Sequence, residues 1–213
     1  LEKRGDEWRL LHRRYVLDWS RNCPSTAQWD GPLYGTLKRH GKLTGQILRH
    51  FGFNLDLCPV LDISYDDAAD NSLKGRTYGK DPQQVITNAG IFNRAMRKEG
   101  ILSCGKHFPG YGPAECDPHE FLPVITKSRE EMEKSELLPY SALLPELDSV
   151  MTCHSNYTAY DPDRGRWPAS LSHNIVTKLL RHQYGFDGLA MTDDLDMGAI
   201  LNEVTFEQAI QEA

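Results

Sequence analysis

The 213-residue sequence is long enough to bury a sizeable core as one domain, and 39% hydrophobic with 25% charged residues excludes the compositional signature of disorder. A net charge of −6, with no Lys/Arg run exceeding two or three residues, excludes an electrostatic footprint for nucleic acid or an anionic membrane and favours a neutral substrate. No stretch approaches the roughly 18 to 20 apolar residues of a membrane span, and five scattered cysteines (Cys23, Cys58, Cys104, Cys116, Cys153) do not form a disulfide framework, so a reducing, cytoplasmic location is expected.

Near the N-terminus, residues Glu7 to Asp18 and Leu37 to Gly52 read as helices, with a Cys-Pro-Ser-Thr loop between them. From Leu55 onward short apolar or β-branched runs alternate with helix-period segments, the pattern of a parallel sheet covered by helices. Leu55 to Ile63 reads as a strand, Asp81 to Glu99 as a helix, Ile101 to Phe108 as a strand and Arg129 to Leu144 as a helix. Ser149 to His154 is again strand, Ser172 to Tyr184 helix, Leu189 to Thr192 strand, and Thr205 to Ala213 the start of another helix. Asp81-Pro82 and the Ser128/Glu131 capping box mark helix starts, while Gly100 and Gly185 stand where C-terminal caps belong. The chain opens on Leu1 without Met and stops inside a helix-like run, so a trimmed piece is expected.

His107, His154 and Asp193 follow the last residues of three of these strands. In parallel barrels functional residues collect at that edge; an open doubly wound sheet places its site there too. In either topology the three groups share one mouth.

The run Gly185-Phe-Asp-Gly-Leu-Ala-Met-Thr-Asp193-Asp-Leu-Asp-Met ends an apolar strand with three carboxylates in four positions. Side chains alternate along a strand, so one of Asp193 and Asp194 can face the mouth while the other caps the next turn. The plain alternative is a cap with solvated acids. The loop Gly105-Lys-His-Phe-Pro-Gly-Tyr-Gly-Pro-Ala-Glu-Cys-Asp117-Pro-His119-Glu has the glycines and prolines of a long, adjustable lid. There Asp117 can orient the His119 imidazole as an acid/base, and a local surface hydrogen bond is the alternative. Cys104/His107 and Cys116/His119 are two Cys-x-x-His pairs with ligand types that suit zinc. Strand alternation puts Cys104 and His107 on opposite faces, which argues against it. Arg76, Lys106 and His107 offer donors for sugar hydroxyls, and salt bridging or core packing would equally explain them. Asp62 fits either that set or a buried hydrogen-bonding role.

Taken together, Lys106-His-Phe-Pro-Gly-x-Gly, the Asp117-x-His119 pair, Met151-Thr-x-His154, Pro168-Ala-Ser-Leu-Ser and Gly185-Phe-x-Gly leading to Thr192-Asp193-Asp-Leu resemble, in order, the β-N-acetylglucosaminidases of glycoside hydrolase family 3. The resemblance spans about residues 55 to 200. It implies a single (β/α)8-type barrel domain over residues 1–213, incomplete in this chain, whose truncated edges would favour self-association. It further implies retaining hydrolysis of terminal β-linked N-acetylglucosamine, with Asp193 as nucleophile, Asp117 and His119 as acid/base dyad, and Arg76, Lys106 and His107 holding the sugar. No metal or organic cofactor is required. Alternatives are a β-N-acetylglucosaminide phosphorylase or β-glucosidase of the same family, a non-catalytic carbohydrate-binding fragment and a zinc-dependent hydrolase. Tyr111 stands where that family usually has His, Pro113-Ala114 where Asp-Thr is common, and Gly5 to Arg9 only faintly matches its N-terminal binding loop.

Overall fold

The computed structural model describes residues 34–213 other than Asp67, together with two short strands nearer the N-terminus. Those strands, β1 (Glu2–Arg4) and β2 (Glu7–Arg9), pair antiparallel with Arg4 opposite Glu7. The helix expected from Glu7 is therefore incorrect at its start. Antiparallel pairing with β1 overrides the helical periodicity from which that start was read. The rest of that helix and the Cys-Pro-Ser-Thr loop lie outside the described residues.

Helix α1 (Tyr34–His50) packs on α2 (Pro82–Arg97). Asp81 caps α2 by accepting the Gln84 N–H at 2.9 Å, and Pro82 occupies the first turn, where its missing N–H costs nothing. Gly100 and Gly185 adopt positive φ, +82° and +64°, as helix-terminating positions do.

The central sheet has four strands in the order β3 (Leu55–Asp56), β4 (Leu102–Phe108), β6 (Ser149–Thr152) and β8 (Leu189–Thr192), every pair parallel. Parallel neighbours need long crossovers, and helices supply them. α2 links β3 to β4; α3 (Arg129–Glu133) and α4 (Leu137–Leu143) lie between β4 and β6; a π-helix (Asn174–Gln183) lies between β6 and β8. A separate parallel ladder joins β5 (Val124–Ile125) to β7 (Asn156–Tyr157). The core is continuous from Leu61, Ile63, Phe108 and Val150 on the strand side to Val85, Met96 and Tyr140 on the helices. Each such apolar side chain contributes roughly 1.5–3 kcal/mol by leaving water. Thus the expected α/β architecture is present, and no described helix is long and apolar enough to cross a membrane.

Several boundaries differ from expectation for local reasons. The run Leu55 to Ile63 is strand only at Leu55–Asp56; the ladder to β4 resumes as a bridge between Val60 and Lys106, on the far side of Pro59, which has no N–H to give. The helix expected over Arg129 to Leu144 breaks after Glu133, although its Ser128/Glu131 capping box is present. It restarts at Leu137 because the Pro139 ring does not tolerate a continuous turn around residue 135. The expected helix Ser172 to Tyr184 is π-wound, with the Tyr184 N–H reaching the Leu179 carbonyl at 3.0 Å. After β8 come a short helix α5 (Gly198–Leu201), which the sequence reading missed, and α6 (Phe206–Glu212), capped by Thr205 and Gln208. A second apolar cluster of Leu171, Ile200 and Ala209, backed by Trp167, Leu195 and Val204, holds α5 and α6 in place.

Candidate active site

Parallel register brings the C-terminal ends of three strands side by side. Phe108 pairs with Thr152 and Thr152 with Thr192, with a shift in β4 between Lys106 and Phe108 that singles out His107. His107 therefore lies within the last residues of β4 rather than after them. Asp62, 1% exposed, gathers three donors there. Its Oδ2 accepts the His107 N–H at 3.1 Å and pairs with His107 Nδ1 at 2.7 Å, while Oδ1 accepts the Tyr111 N–H at 2.9 Å. A carboxylate that only accepts fixes the proton on Nδ1. Nε2 then faces Asp193 Oδ2 at 3.9 Å. Burial pulls the His107 pKa below its ordinary value, against the attraction of Asp62, so the ring is neutral near pH 7.

Asp193 continues the ladder by donating its N–H to the Thr152 carbonyl at 3.0 Å. Burial raises its pKa, but His107, the Asp194 N–H on Oδ1 at 2.9 Å, His154 and Lys106 outweigh that and hold the carboxyl below its ordinary range. Asp194 is directed otherwise: its Oδ1 accepts the Asp196 N–H at 3.3 Å, a turn-capping role. His154, 1% exposed, joins the strand-end set and holds this turn from below. Its Nε2 lies 2.9 Å from the Asp194 carbonyl and its Nδ1 2.8 Å from Ser170 Oγ. Because a carbonyl only accepts, the proton sits on Nε2, the opposite tautomer from His107.

The second group is on the loop after β4. Its first half is packed rather than free. Tyr111 and Ala114 are 2% exposed, Asn71 Nδ2 donates to the Ala114 carbonyl at 3.0 Å, and the Tyr157 hydroxyl donates to the Gly110 carbonyl at 2.8 Å. The loop expected to form an adjustable lid is thus anchored to the core over its first half. At its tip Asp117 Oδ1 accepts both the His119 N–H, at 2.9 Å, and the ring Nδ1–H, at 2.5 Å. The imidazole is half exposed, with Nε2 across the ring from Asp117. Ser72, Lys74, Arg76, Asp117 and His119 line a 320 Å³ cavity, in which the Arg76 guanidinium is braced by Nη1 donating to the Ser72 carbonyl at 3.0 Å.

The six residues picked from sequence thus form two groups: Asp193 with His107 and Lys106 at the strand ends, and Asp117 with His119 and Arg76 around the cavity. Tyr111 spans them, its ring edge-on to His107 with centroids 5.0 Å apart and its hydroxyl 3.3 Å from Ser72 Oγ. Ser72, Lys74 and Ser170 were missed; only Ser170, within Pro168-Ala-Ser-Leu-Ser, carried a signal. The zinc alternative meets other partners: Cys104 is buried with Sγ 4.0 Å from Met191 Sδ, and His107 Nδ1 is held by Asp62. Among the described residues no group of three or more His, Cys, Asp or Glu has the arrangement of a metal site.

The family model for the glycosyl hydrolase family 3 N-terminal domain matches residues 24–213. A β-hexosaminidase of Pseudomonas aeruginosa is 36% identical over 169 residues, covering 79% of this chain and 49% of that protein. A family 3 β-N-acetylglucosaminidase from Paenibacillus sp. str. FPU-7 superposes with a TM-score of 0.81 at 30% identity, over 88% of this chain and 35% of that one. The β-glucoside phosphorylase BglX gives a TM-score of 0.79 at 26% identity, over 84% of this chain and 34% of that one. The chain spans about half the length of the curated relatives it matches. With the family's domain covering nearly all of it, and the motif-bearing segments meeting at one sheet edge, the chain belongs to glycoside hydrolase family 3.

Proposed function

We propose that the protein is a retaining β-N-acetylhexosaminidase that removes terminal β-linked N-acetylglucosamine. Asp193 attacks the anomeric carbon, and His119, oriented by Asp117, gives its Nε2 proton to the leaving oxygen. The same imidazole, now neutral, takes a proton from water as that water releases the sugar from Asp193. The observation that carries this reading is the double acceptance by Asp117 Oδ1, which fixes the tautomer and direction of a solvent-accessible imidazole beside a sugar-sized cavity.

Arg76 and His107, with Lys106, hold the sugar in this reading. His107 Nε2, an acceptor 3.9 Å from Asp193, suits a sugar hydroxyl that donates to it. The four parallel strands are read as an arc of a (β/α)8-type barrel in a single domain, and no cofactor takes part. We read the setting as reducing and cytoplasmic from the odd number and scatter of the five cysteines in the sequence. The relatives called β-hexosaminidase and β-N-acetylglucosaminidase support the substrate class.

A screen of p-nitrophenyl β-N-acetylglucosaminide against the glucoside and xyloside tests the proposal. We expect kcat/KM to favour the N-acetylglucosaminide by at least about tenfold, and a preference for glucoside would overturn it. One further reading has a specific observation behind it: two cations, Lys74 and Arg76, line the cavity beside the Asp117/His119 pair, a setting that admits phosphate as acceptor. Formation of a sugar 1-phosphate on adding inorganic phosphate would favour the phosphorylase.

A further inference from the structure

The tip of the acid/base loop rests on the segment that follows the nucleophile. Three consecutive carbonyls, those of Pro118, His119 and Glu120, accept hydrogen bonds from Ala199 N–H (3.1 Å), Gly198 N–H (2.9 Å) and Asn202 Nδ2 (2.9 Å). Gly198 is five residues beyond Asp193, and Ala199 and Ile200 behind it are fully buried. The approach is so close that a Cβ on Gly198 would lie 2.3 Å from the Glu120 oxygen and 2.8 Å from the His119 oxygen. Both are backbone atoms, which cannot swing aside as a side-chain tip can.

We propose that Gly198 is a positioning residue for the acid/base: its missing Cβ lets the loop dock on α5, and the dock sets where His119 stands relative to Asp193. This rests on the roles assigned above to Asp193 and His119. The logic is geometric. The side chains of His119 and Asp117 are held to each other, so their pairing alone does not fix their distance from the nucleophile. The bonds from residues 198, 199 and 202 do, because nucleophile and dock share one short stretch of chain that is braced by the Leu171, Ile200 and Ala209 cluster. Proton transfer is steeply sensitive to such placement, with a displacement of about 1 Å able to cost a hundredfold in rate. Asp117 and His119 stay bonded to each other when the dock opens, which separates this role from that of Asp117.

The test compares Gly198→Ala, Asn202→Ala and His119→Ala in the intact protein. Two substrates are used, a disaccharide with a β-linked N-acetylglucosamine and the p-nitrophenyl glycoside, whose leaving group departs with little proton assistance. For Gly198→Ala we expect disaccharide kcat to fall roughly tenfold to a hundredfold with KM little changed, and the aryl substrate to lose less than about threefold. Asn202→Ala removes one exposed bond of the dock, and its disaccharide rate should fall roughly twofold to tenfold with the same selectivity. Equal slowing of both substrates by folded Gly198→Ala, or no slowing, would overturn the dock. Should Gly198→Ala fail to fold by circular dichroism, Asn202→Ala decides alone, and an unchanged ratio of the two substrates overturns it. If His119→Ala itself shows no dependence on the leaving group, the acid/base assignment fails, and the dock's role with it.

Discussion

The strand-end region and the loop region hold their ionisable groups in opposite ways. Asp193 is placed by the sheet: its N–H extends the β6–β8 ladder, its carboxyl accepts the next N–H, and its side chain is only 27% exposed among buried histidines of fixed tautomer. His119 is placed by side chain and dock, its imidazole 52% exposed at the edge of the cavity. The contrast follows the work assigned to each. A nucleophile must be ionised and aimed before substrate arrives, which calls for rigid surroundings that favour the charged form. A group that gives a proton to the leaving oxygen and then takes one from the attacking water has to be reached by that water in the second step, which a sealed position would prevent.

The comparison is broken most severely by removing the nucleophile. Asp193→Asn should lower kcat/KM for p-nitrophenyl β-N-acetylglucosaminide by about 10⁴-fold or more, whereas Asp194→Asn, whose carboxyl caps a turn, should stay within about tenfold. The reverse order would exchange their roles. His119→Ala comes next, with a loss of about 10²- to 10⁴-fold on a disaccharide and a much smaller one on glycosylation by the aryl substrate. Asp117→Asn should show the same selectivity in weaker form, and azide, which needs no general base, should restore aryl turnover by His119→Ala and yield the β-glycosyl azide. Equal slowing of both substrates with no azide product would make the Asp117/His119 pair structural.

How much of this was legible beforehand depended on whether the cause was local. β8 was read with its observed boundaries because three apolar residues and a β-branched threonine lie between Gly188 and a cluster of acids, and strand alternation already separated Asp193 from Asp194. Caps at Asp81 and Ser128 were equally plain, since their signal lies within three residues. Asp62 was left between two roles because its three donors come from residues 45 and 49 positions away. The dock on α5 was invisible for a stronger reason: it joins backbone carbonyls to two backbone N–H groups and the Asn202 amide some 80 positions away, and only a glycine marks the close approach. The break at Pro139 was in the sequence, where helical periodicity outweighed it.

A smaller perturbation sharpens the account of the strand-end region as the more rigid one. Asp62→Ala strips the acceptor from three buried donors, so unfolding by urea should show a loss of about 3 kcal/mol or more, with kcat/KM falling as His107 loses its tautomer. A variant as stable as the parent would show that the Asp62 cluster contributes nothing net.

The mildest effect is on pH. Burial lowers the pKa of His107 and of His154 from about 6.5, so below that value the unfolded chain takes up protons that the folded protein does not. Their contribution to stability is full above pH 6.5 and declines as pH falls toward their folded values. Asp193, shifted downward from 3.8, adds its own loss only below that pH. The melting temperature should therefore drop between pH 7.5 and 5, and His154→Gln, whose amide can donate to Asp194 and accept from Ser170, should flatten part of the slope. A melting temperature that rises on acidification through this range would contradict the neutral, buried histidines.

The claim on which the rest depends is that a sugar becomes covalently attached to Asp193. In His119→Ala the base for the second step is gone, so p-nitrophenyl β-N-acetylglucosaminide should leave the glycosyl-enzyme populated long enough for intact-mass measurement and peptide mapping after acid quench. We predict one N-acetylglucosaminyl unit per chain, on the peptide that contains Thr192 and Asp193, with fragmentation locating it on Asp193. An adduct on Asp194, or substrate consumed with no adduct at any quench time, would contradict the assignment.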